Sequence, residues 1–261
     1  GRVLFVLPWE GKTLIGTTDS KTDVVEKPKT TEDDINYLIK EVAQYLSQPI
    51  SRADVKSYWT GIRPLVSDPN AADTAQLARD HVINRNEKTG LITLTGGKWT
   101  TYRVMGEHAI DQVMVQLGRD PKKEASKTEN LKLQGTKEWQ FENYKTLMEK
   151  YKLPEDVAIY LNRIYAGLAT KLLDLYPNLH QRMAIDLPFI WAEVYYAVHF
   201  EAARSITDVL ARRVRVATLD KMATNAILER VSQIMATELS WPEQTRVSNL
   251  ERARIEFQLE K

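Results

Sequence analysis

Apolar and polar positions change their period several times along this chain, and each change marks a predicted element. Residues 2–7 and 13–16 are short β-rich runs on either side of the turn-like cluster Trp9-Glu10-Gly11-Lys12, which predicts an antiparallel hairpin. After the polar stretch 17–29 the spacing becomes helical. Ile35, Leu38, Ile39, Val42 and Leu46 follow Thr30 or Thr31 as the N-cap, predicting a helix to about residue 46 that covers one side of the sheet. Residues 55–59, 62–66 and 81–84 read as further strands, 86–90 as a turn, 91–94 as a strand, and 100–117 as a helix.

Between Gly118 and Gly135 the apolar periodicity lapses, and Arg119-Asp120-Pro121-Lys122-Lys123 opens a polar linker. A boundary near residue 126 divides the chain into residues 1–125 and 126–261. Beyond it the pattern is helical over 138–151, 154–175, 188–202, 205–215, 219–239 and 242–260. Pro154, Pro188 and Pro242 sit where a first helical turn tolerates proline. Ser205-Ile206-Thr207-Asp208 and Asp186 supply capping residues. The expected fold class is therefore α+β: an antiparallel or mixed sheet with covering helices, followed by an all-α C-terminal domain.

Composition narrows the partners. With 261 residues, a formal net charge of +1 and a pI near 8.0, the chain gives no case for nucleic-acid binding, so anion recognition has to come from local clusters. There is no cysteine, which excludes disulfides, thiolate nucleophiles and Cys-based metal sites. No run approaches the roughly 20 apolar residues of a membrane span, and the N-terminus lacks the regions of a signal peptide. These features lead to the expectation of a cytoplasmic protein. The chain opens on a strand pattern without a starting methionine, and so reads as a piece of a longer one.

The segment Gly96-Gly97-Lys98-Trp99-Thr100-Thr101-Tyr102-Arg103 follows an apolar run and opens a helix-patterned one. Strand, glycine turn and helix start together suit an anion: the backbone can approach closely, and the helix points unpaired N–H groups and its positive dipole end at the turn. Spacing alone equally allows an ordinary turn with a solvated lysine. Neither G-x-G-x-x-G nor G-x-x-x-x-G-K-[ST] occurs, so a complete dinucleotide-binding unit and a triphosphate loop are both missing. Arg63, beside Pro64 in an apolar run, reads either as a strand-edge arginine paired with a carboxylate or as a forked holder of an anionic substrate. Arg79 allows the same two readings, with Asp80 or Asp73 as the surface partner. His81, His108, His180 and His199 have no metal-like spacing, and no metal site is predicted. No G-x-S-x-G occurs, and Asp33-Asp34 and Glu155-Asp156 sit near helix starts, where capping explains them. The charged and apolar mixture from Glu201 to Arg213 reads as inter-helix ion pairs and an interface.

Four ordered motifs carry a resemblance that spans nearly the whole chain. They are Val6-Leu7-Pro8-Trp9-Glu10-Gly11 with Ile15-Gly16-Thr17-Thr18-Asp19, then Thr60-Gly61-Ile62-Arg63-Pro64-Leu65, then Gly96 to Arg103, then Glu201 to Arg213 with Thr218-Leu219-Asp220. The chain resembles the C-terminal half of the FAD-dependent glycerol-3-phosphate dehydrogenases of the aerobic, quinone-linked type, within the amino-acid-oxidase-like flavoproteins. The resemblance implies that Arg63 contacts the reacting end of the substrate and is catalytic, and that Arg79 and Lys98 help hold the phosphate. It also implies that Gly96, Gly97, Lys98, Trp99 and Thr100 face the flavin. The reaction that the resemblance implies takes hydride from C2 of glycerol 3-phosphate to FAD, giving dihydroxyacetone phosphate, with electrons passing to quinone. The implied setting is peripheral, on the cytoplasmic membrane surface, with a homodimer as a further option. The family's N-terminal G-x-G-x-x-G unit is missing, so this chain alone is expected to bind FAD weakly or not at all and to be inactive, and no general base is assigned. Two alternatives remain: a glycerophosphate oxidase using oxygen, and a non-catalytic helical module for dimerisation or membrane docking.

Overall fold

The computed structural model describes residues 4–63, 80–137 and 139–259. They form two compact units, residues 1–61 with 134–261, and residues 62–133.

In the first unit, β1 (Phe5–Trp9) pairs antiparallel with β2 (Lys12–Gly16), placing Phe5 opposite Gly16 and Trp9 opposite Lys12. The two-residue turn between them has positive φ at both Glu10 (43°) and Gly11 (74°), the handedness that matches the twist of a tight hairpin. Helix α1 (Glu32–Ala43) starts where the sequence puts it. Thr31 Oγ1 accepts from the Asp34 N–H at 3.2 Å while Asp34 Oδ2 accepts from the Thr31 N–H at 3.2 Å, closing a capping box. Ile35 and Val42 form its buried face.

The run 55–59 is not a strand. Ser51 instead opens a 3-10 turn, Arg52–Asp54, and the residues that follow are bonded to the helical part of the chain: Ser57 Oγ donates to the Ala217 carbonyl at 2.7 Å and the Lys221 N–H to the Lys56 carbonyl at 3.0 Å. Its β-rich pattern reflects a backbone that needs partners, and here a neighbouring strand does not provide them. Of the predicted strand 62–66, Ile62 and Arg63 are not in a strand, and the rest lies outside the described residues.

Six helices of this unit surround its core: α3 (Asn143–Tyr151), α4 (Glu155–Tyr165), α5 (Leu168–Leu175), α6 (Ala192–Phe200), α7 (Lys221–Glu238) and α8 (Glu243–Phe257). Val157, Leu161, Leu172, Ile190, Val194, Leu210, Leu228 and Met235 are fully buried among them. The predicted helix 154–175 breaks at Ala166 and Gly167. Ala166 has φ +49°, and the Gly167 N–H donates to the Gly135 carbonyl at 2.9 Å. A Cβ on Gly167 would sit 2.9 Å from that oxygen, so a long-range contact breaks a helix that local periodicity favours. The helix predicted from residue 188 begins only at Ala192, because residues 182–190 fold back on themselves. The Met183 N–H donates to the Phe189 carbonyl at 2.8 Å and the Trp191 N–H to the Gln181 carbonyl at 3.1 Å, and Asp186 is not a helix cap. Over 205–215 the helical turn is π-wound at Asp208–Arg213, and Asp208 Oδ2 caps its approach by accepting from the Arg204 and Ser205 N–H groups at 3.0 and 2.9 Å.

The second unit is a hairpin and a helix. Strands β3 (His81–Arg85) and β4 (Ile92–Gly96) pair antiparallel with His81 opposite Gly96. Asn86 Oδ1 closes their turn by accepting from the Lys88 and Thr89 N–H groups at 2.9 and 3.0 Å. Helix α2 (Tyr102–Gln116) is tied back to that turn at its far end, where Gln116 Nε2 donates to the Gly90 carbonyl at 3.0 Å.

Candidate functional site

The stretch from Gly96 to Thr100 forms one continuous turn between β4 and α2. Both glycines are in the left-handed region, Gly96 at φ +73° and Gly97 at φ +80°. A Cβ at Gly97 would meet Met105 Sδ at 2.7 Å and His81 Cβ at 3.1 Å, so the left-handed backbone favours glycine and the space beside it is tight. Lys98 returns to extended backbone and precedes the 3-10 turn Trp99–Thr101, which runs directly into α2. The first N–H of this turn to find an intrahelical acceptor is that of Thr101, bonded to the Lys98 carbonyl at 3.0 Å. The Trp99 and Thr100 N–H groups precede it and have no acceptor within the helix. The Lys98 side chain is exposed, Trp99 is 88% exposed and stacks on Tyr102 with ring centroids 5.9 Å apart, and the helix dipole adds positive potential at the same end. The donor set, two amides and one ammonium beside a flat aromatic face, suits a negatively polarised planar edge or a phosphate.

Arg63 is exposed and engaged in an interaction of its own, and Arg79 lies outside the described residues. Arg103, the last residue of the motif, is turned to Glu107 Oε2 at 2.5 Å and Thr128 Oγ1 at 3.1 Å. Sequence reasoning missed a link beside the turn. His81 Nε2 and His108 Nδ1 lie 2.9 Å apart, joining β3 to α2, a pairing that a sequence separation of 27 conceals.

The segment from Glu201 to Arg213 is used in internal ties. The Arg213 guanidinium donates to the Glu201 carbonyl, that of Arg204 to the Val198 and Ala203 carbonyls, and that of Arg212 to Asp208. Nearby Arg215 stands over the Trp9 ring at 5.7 Å, and Glu10 pairs with Arg163 at 3.2 Å, so the hairpin tip is held by arginines of the helical region. Beneath them Glu193 is fully buried. Its Oε1 accepts from the Tyr160 and Tyr165 hydroxyls at 2.7 and 3.0 Å and its Oε2 from the Ile190 N–H at 2.7 Å. Burial raises its pKa to about 7, against the pull of those three donors and with help from the Glu201 charge.

Comparison with known proteins follows these two regions. Residues 1–111 match the family model described as FAD dependent oxidoreductase. Residues 126–246 match the model described as the C-terminal domain of alpha-glycerophosphate oxidase. The chain is 40% identical over 275 residues to the probable mitochondrial glycerol-3-phosphate dehydrogenase of Caenorhabditis elegans, covering 100% of this chain and 37% of that protein. It is also 40% identical over 263 residues to the mitochondrial glycerol-3-phosphate dehydrogenase of Homo sapiens, covering 97% and 36%. The solved glycerol-3-phosphate dehydrogenase of Bacillus halodurans, complexed with FAD, superposes with a TM-score of 0.77 at 25% identity, covering 99% of this chain and 51% of that one.

The chain thus belongs to the FAD-dependent oxidoreductases. Within them it belongs to the branch that carries the alpha-glycerophosphate oxidase type of C-terminal domain, and it corresponds to the C-terminal part of the glycerol-3-phosphate dehydrogenases. It spans little more than a third of the length of these curated relatives. One expectation is corrected. The cytoplasmic compartment, and with it the cytoplasmic membrane, is overturned by curated relatives named as mitochondrial enzymes. A cysteine-free, nearly neutral composition speaks to redox environment and charge, and does not separate one reducing compartment from another. Among the described residues no helix is long and apolar enough to cross a membrane.

Proposed function

We propose that this chain is the substrate-facing and helical portion of a longer flavoenzyme that oxidises sn-glycerol 3-phosphate to dihydroxyacetone phosphate, with electrons passing to quinone. The observation that carries the reading is the order of the two family matches, with the anion-suited glycine turn inside the first. Residues 1–125 then contribute to the flavin and substrate region and residues 126–261 form the helical C-terminal domain.

FAD, when bound, supplies the acceptor for the hydride from C2. The turn from Gly96 to Thr100 would hold an edge of it through the Trp99 and Thr100 N–H groups, the helix dipole and the Lys98 charge. Arg63 would orient the reacting end of the substrate and stabilise charge on its oxygen, while Arg79 and Lys98 hold the phosphate. Convergent cations fix a doubly charged substrate in one orientation, which is where most of the advantage of a preorganised site lies. The chain has no G-x-G-x-x-G, so by itself it binds FAD weakly or not at all and does not turn over.

Two measurements test this. The longer enzyme loaded with FAD bleaches its flavin absorbance on adding glycerol 3-phosphate, and Arg63→Lys slows that bleaching. A flavin that glycerol 3-phosphate leaves oxidised refutes the reading. The description of the C-terminal family by an oxidase favours a second acceptor, oxygen. Stopped-flow reoxidation of the reduced enzyme by oxygen and by a soluble quinone separates the two.

A further inference from the structure

Within residues 62–133, the contact between His81 and His108 lies against the glycine turn. His81 opens β3 and stands opposite Gly96, the last residue of β4. A Cβ added to Gly97 would lie 3.1 Å from His81 Cβ in β3 and 2.7 Å from Met105 Sδ in α2, so Gly97 passes between the two elements. One helical turn beyond Met105, His108 Nδ1 meets His81 Nε2 at 2.9 Å, with ring centroids 5.0 Å apart. At that separation a single proton lies between the nitrogens, donated by one ring and accepted by the other.

The pair completes the seating of α2 on its hairpin. At the far end Gln116 Nε2 donates to the Gly90 carbonyl at 3.0 Å, and the histidines make the tie nearer the turn. His81 is half-buried and His108 exposed, so water could serve both rings if they parted. A hydrogen bond in such a place adds little to stability, because it replaces bonds to water. Its effect is geometric: it sets the spacing of β3 and α2 on either side of Gly97. The Trp99 and Thr100 amides, which have no acceptor within the helix, point where the start of α2 directs them. Donors held in one direction stabilise a negative charge without reorganising, and donors that wander do so less well.

We propose that His81 and His108 are positioning residues for the flavin-edge turn: by tying α2 to β3 beside Gly97 they hold the Trp99 and Thr100 amides in the direction that favours the reduced, more negative flavin. This rests on the reading that the turn from Gly96 to Thr100 holds an edge of FAD. His108→Leu removes the ring nitrogens at an exposed position, while His108→Asn returns a polar atom near the place of Nδ1.

In this chain, exchange of the Thr101 amide, bonded to the Lys98 carbonyl, rises about fivefold in His108→Leu, residues 110–113 within α2 keep their protection, and His108→Asn restores slow exchange. In the FAD-loaded longer enzyme, His108→Leu moves the flavin midpoint potential about 20 mV more negative with FAD content unchanged, which is a fivefold weaker preference for the reduced form, and His108→Asn rescues it. His81→Leu is the second variant should His108→Leu not fold, with the same expected pattern. Lys98→Met, which removes the charge of the turn itself, also shifts the potential negative. Unchanged Thr101 exchange overturns the tie. Faster exchange with an unchanged potential, where Lys98→Met does shift it, overturns the positioning role and leaves a structural contact. A potential that Lys98→Met leaves unmoved overturns the reading of the turn as flavin-facing, and the positioning role with it, while the exchange result still reports on the tie.

Discussion

Glu193 makes the stability of the helical region depend on pH in a direction opposite to that of most carboxylates. Two forces compete at this side chain. Burial favours the neutral acid, and the Tyr160, Tyr165 and Ile190 donors favour the carboxylate. Burial wins, raising the pKa from 4.5 to about 7. The folded state therefore binds a proton that the unfolded state has already released over that window. The stabilising contribution is fully present below pH 4.5 and is lost as pH rises through 7. At 1.36 kcal/mol per unit the loss is about 3 kcal/mol, with Glu201, also raised by burial, adding in the same direction. Asp156 and Asp34, lowered by Arg182 and Thr31 respectively, work the other way, but at pH values below their ordinary range. Glu193→Gln removes the titration and leaves the neighbours, so the informative quantity is the difference between the two proteins. Urea unfolding followed by far-ultraviolet circular dichroism from pH 4.5 to 8 should show wild-type stability falling relative to Glu193→Gln by about 3 kcal/mol. A carboxyl carbon-13 titration of Glu193 should have its midpoint near 7. A flat difference curve, with the carboxyl ionised throughout, would refute the argument and mean that the three donors outweigh burial.

Other consequences can be checked more briefly. Gly97→Ala forces a side chain into a left-handed backbone against Met105 and His81, and should destabilise the second unit by about 1–3 kcal/mol while sparing the helical core, as resolved by hydrogen exchange. Gly167→Ala pushes a methyl group to 2.9 Å from the Gly135 carbonyl and should lower the thermal midpoint measured by calorimetry, at a similar cost of about 1–3 kcal/mol. Thr31→Ala opens the capping box of α1 and should cost about 1 kcal/mol in chemical denaturation. Lys98→Met leaves stability unchanged, because its side chain is exposed, yet should weaken glycerol 3-phosphate binding to the longer enzyme about tenfold, as measured by isothermal titration.

Local signals were legible wherever the interaction that decides them is itself local. The hairpin at Glu10-Gly11, the Thr31 cap, the Asn86 turn and the glycine turn before α2 each depend on residues within a few positions of one another, and each stands where the sequence put it. The same is true of the candidate flavin-facing turn, whose amides and lysine are contiguous in the chain. Periodicity failed where a distant partner took over. Residues 55–59 have the pattern of a strand but satisfy their backbone on Ala217 and Lys221, and the helix 154–175 breaks because Gly135 reaches Gly167.

The amino-acid sequence by itself determined the elements that local interactions decide, the change from sheet-bearing to helical character, and the family, since four ordered motifs can be read without coordinates. Tertiary structure alone decided which distant residues touch. It seats Trp9 and Glu10 against Arg215 and Arg163, buries Glu193 beneath two tyrosines, and closes the Lys221 ammonium over Tyr58. The physical reason is that burial and charge compensation are properties of three-dimensional neighbourhoods. A glutamate at position 193 reads as an ordinary surface acid until the fold removes its water, and a lysine at 221 as a solvated charge until the fold sets its ammonium over a ring 163 residues earlier in the chain.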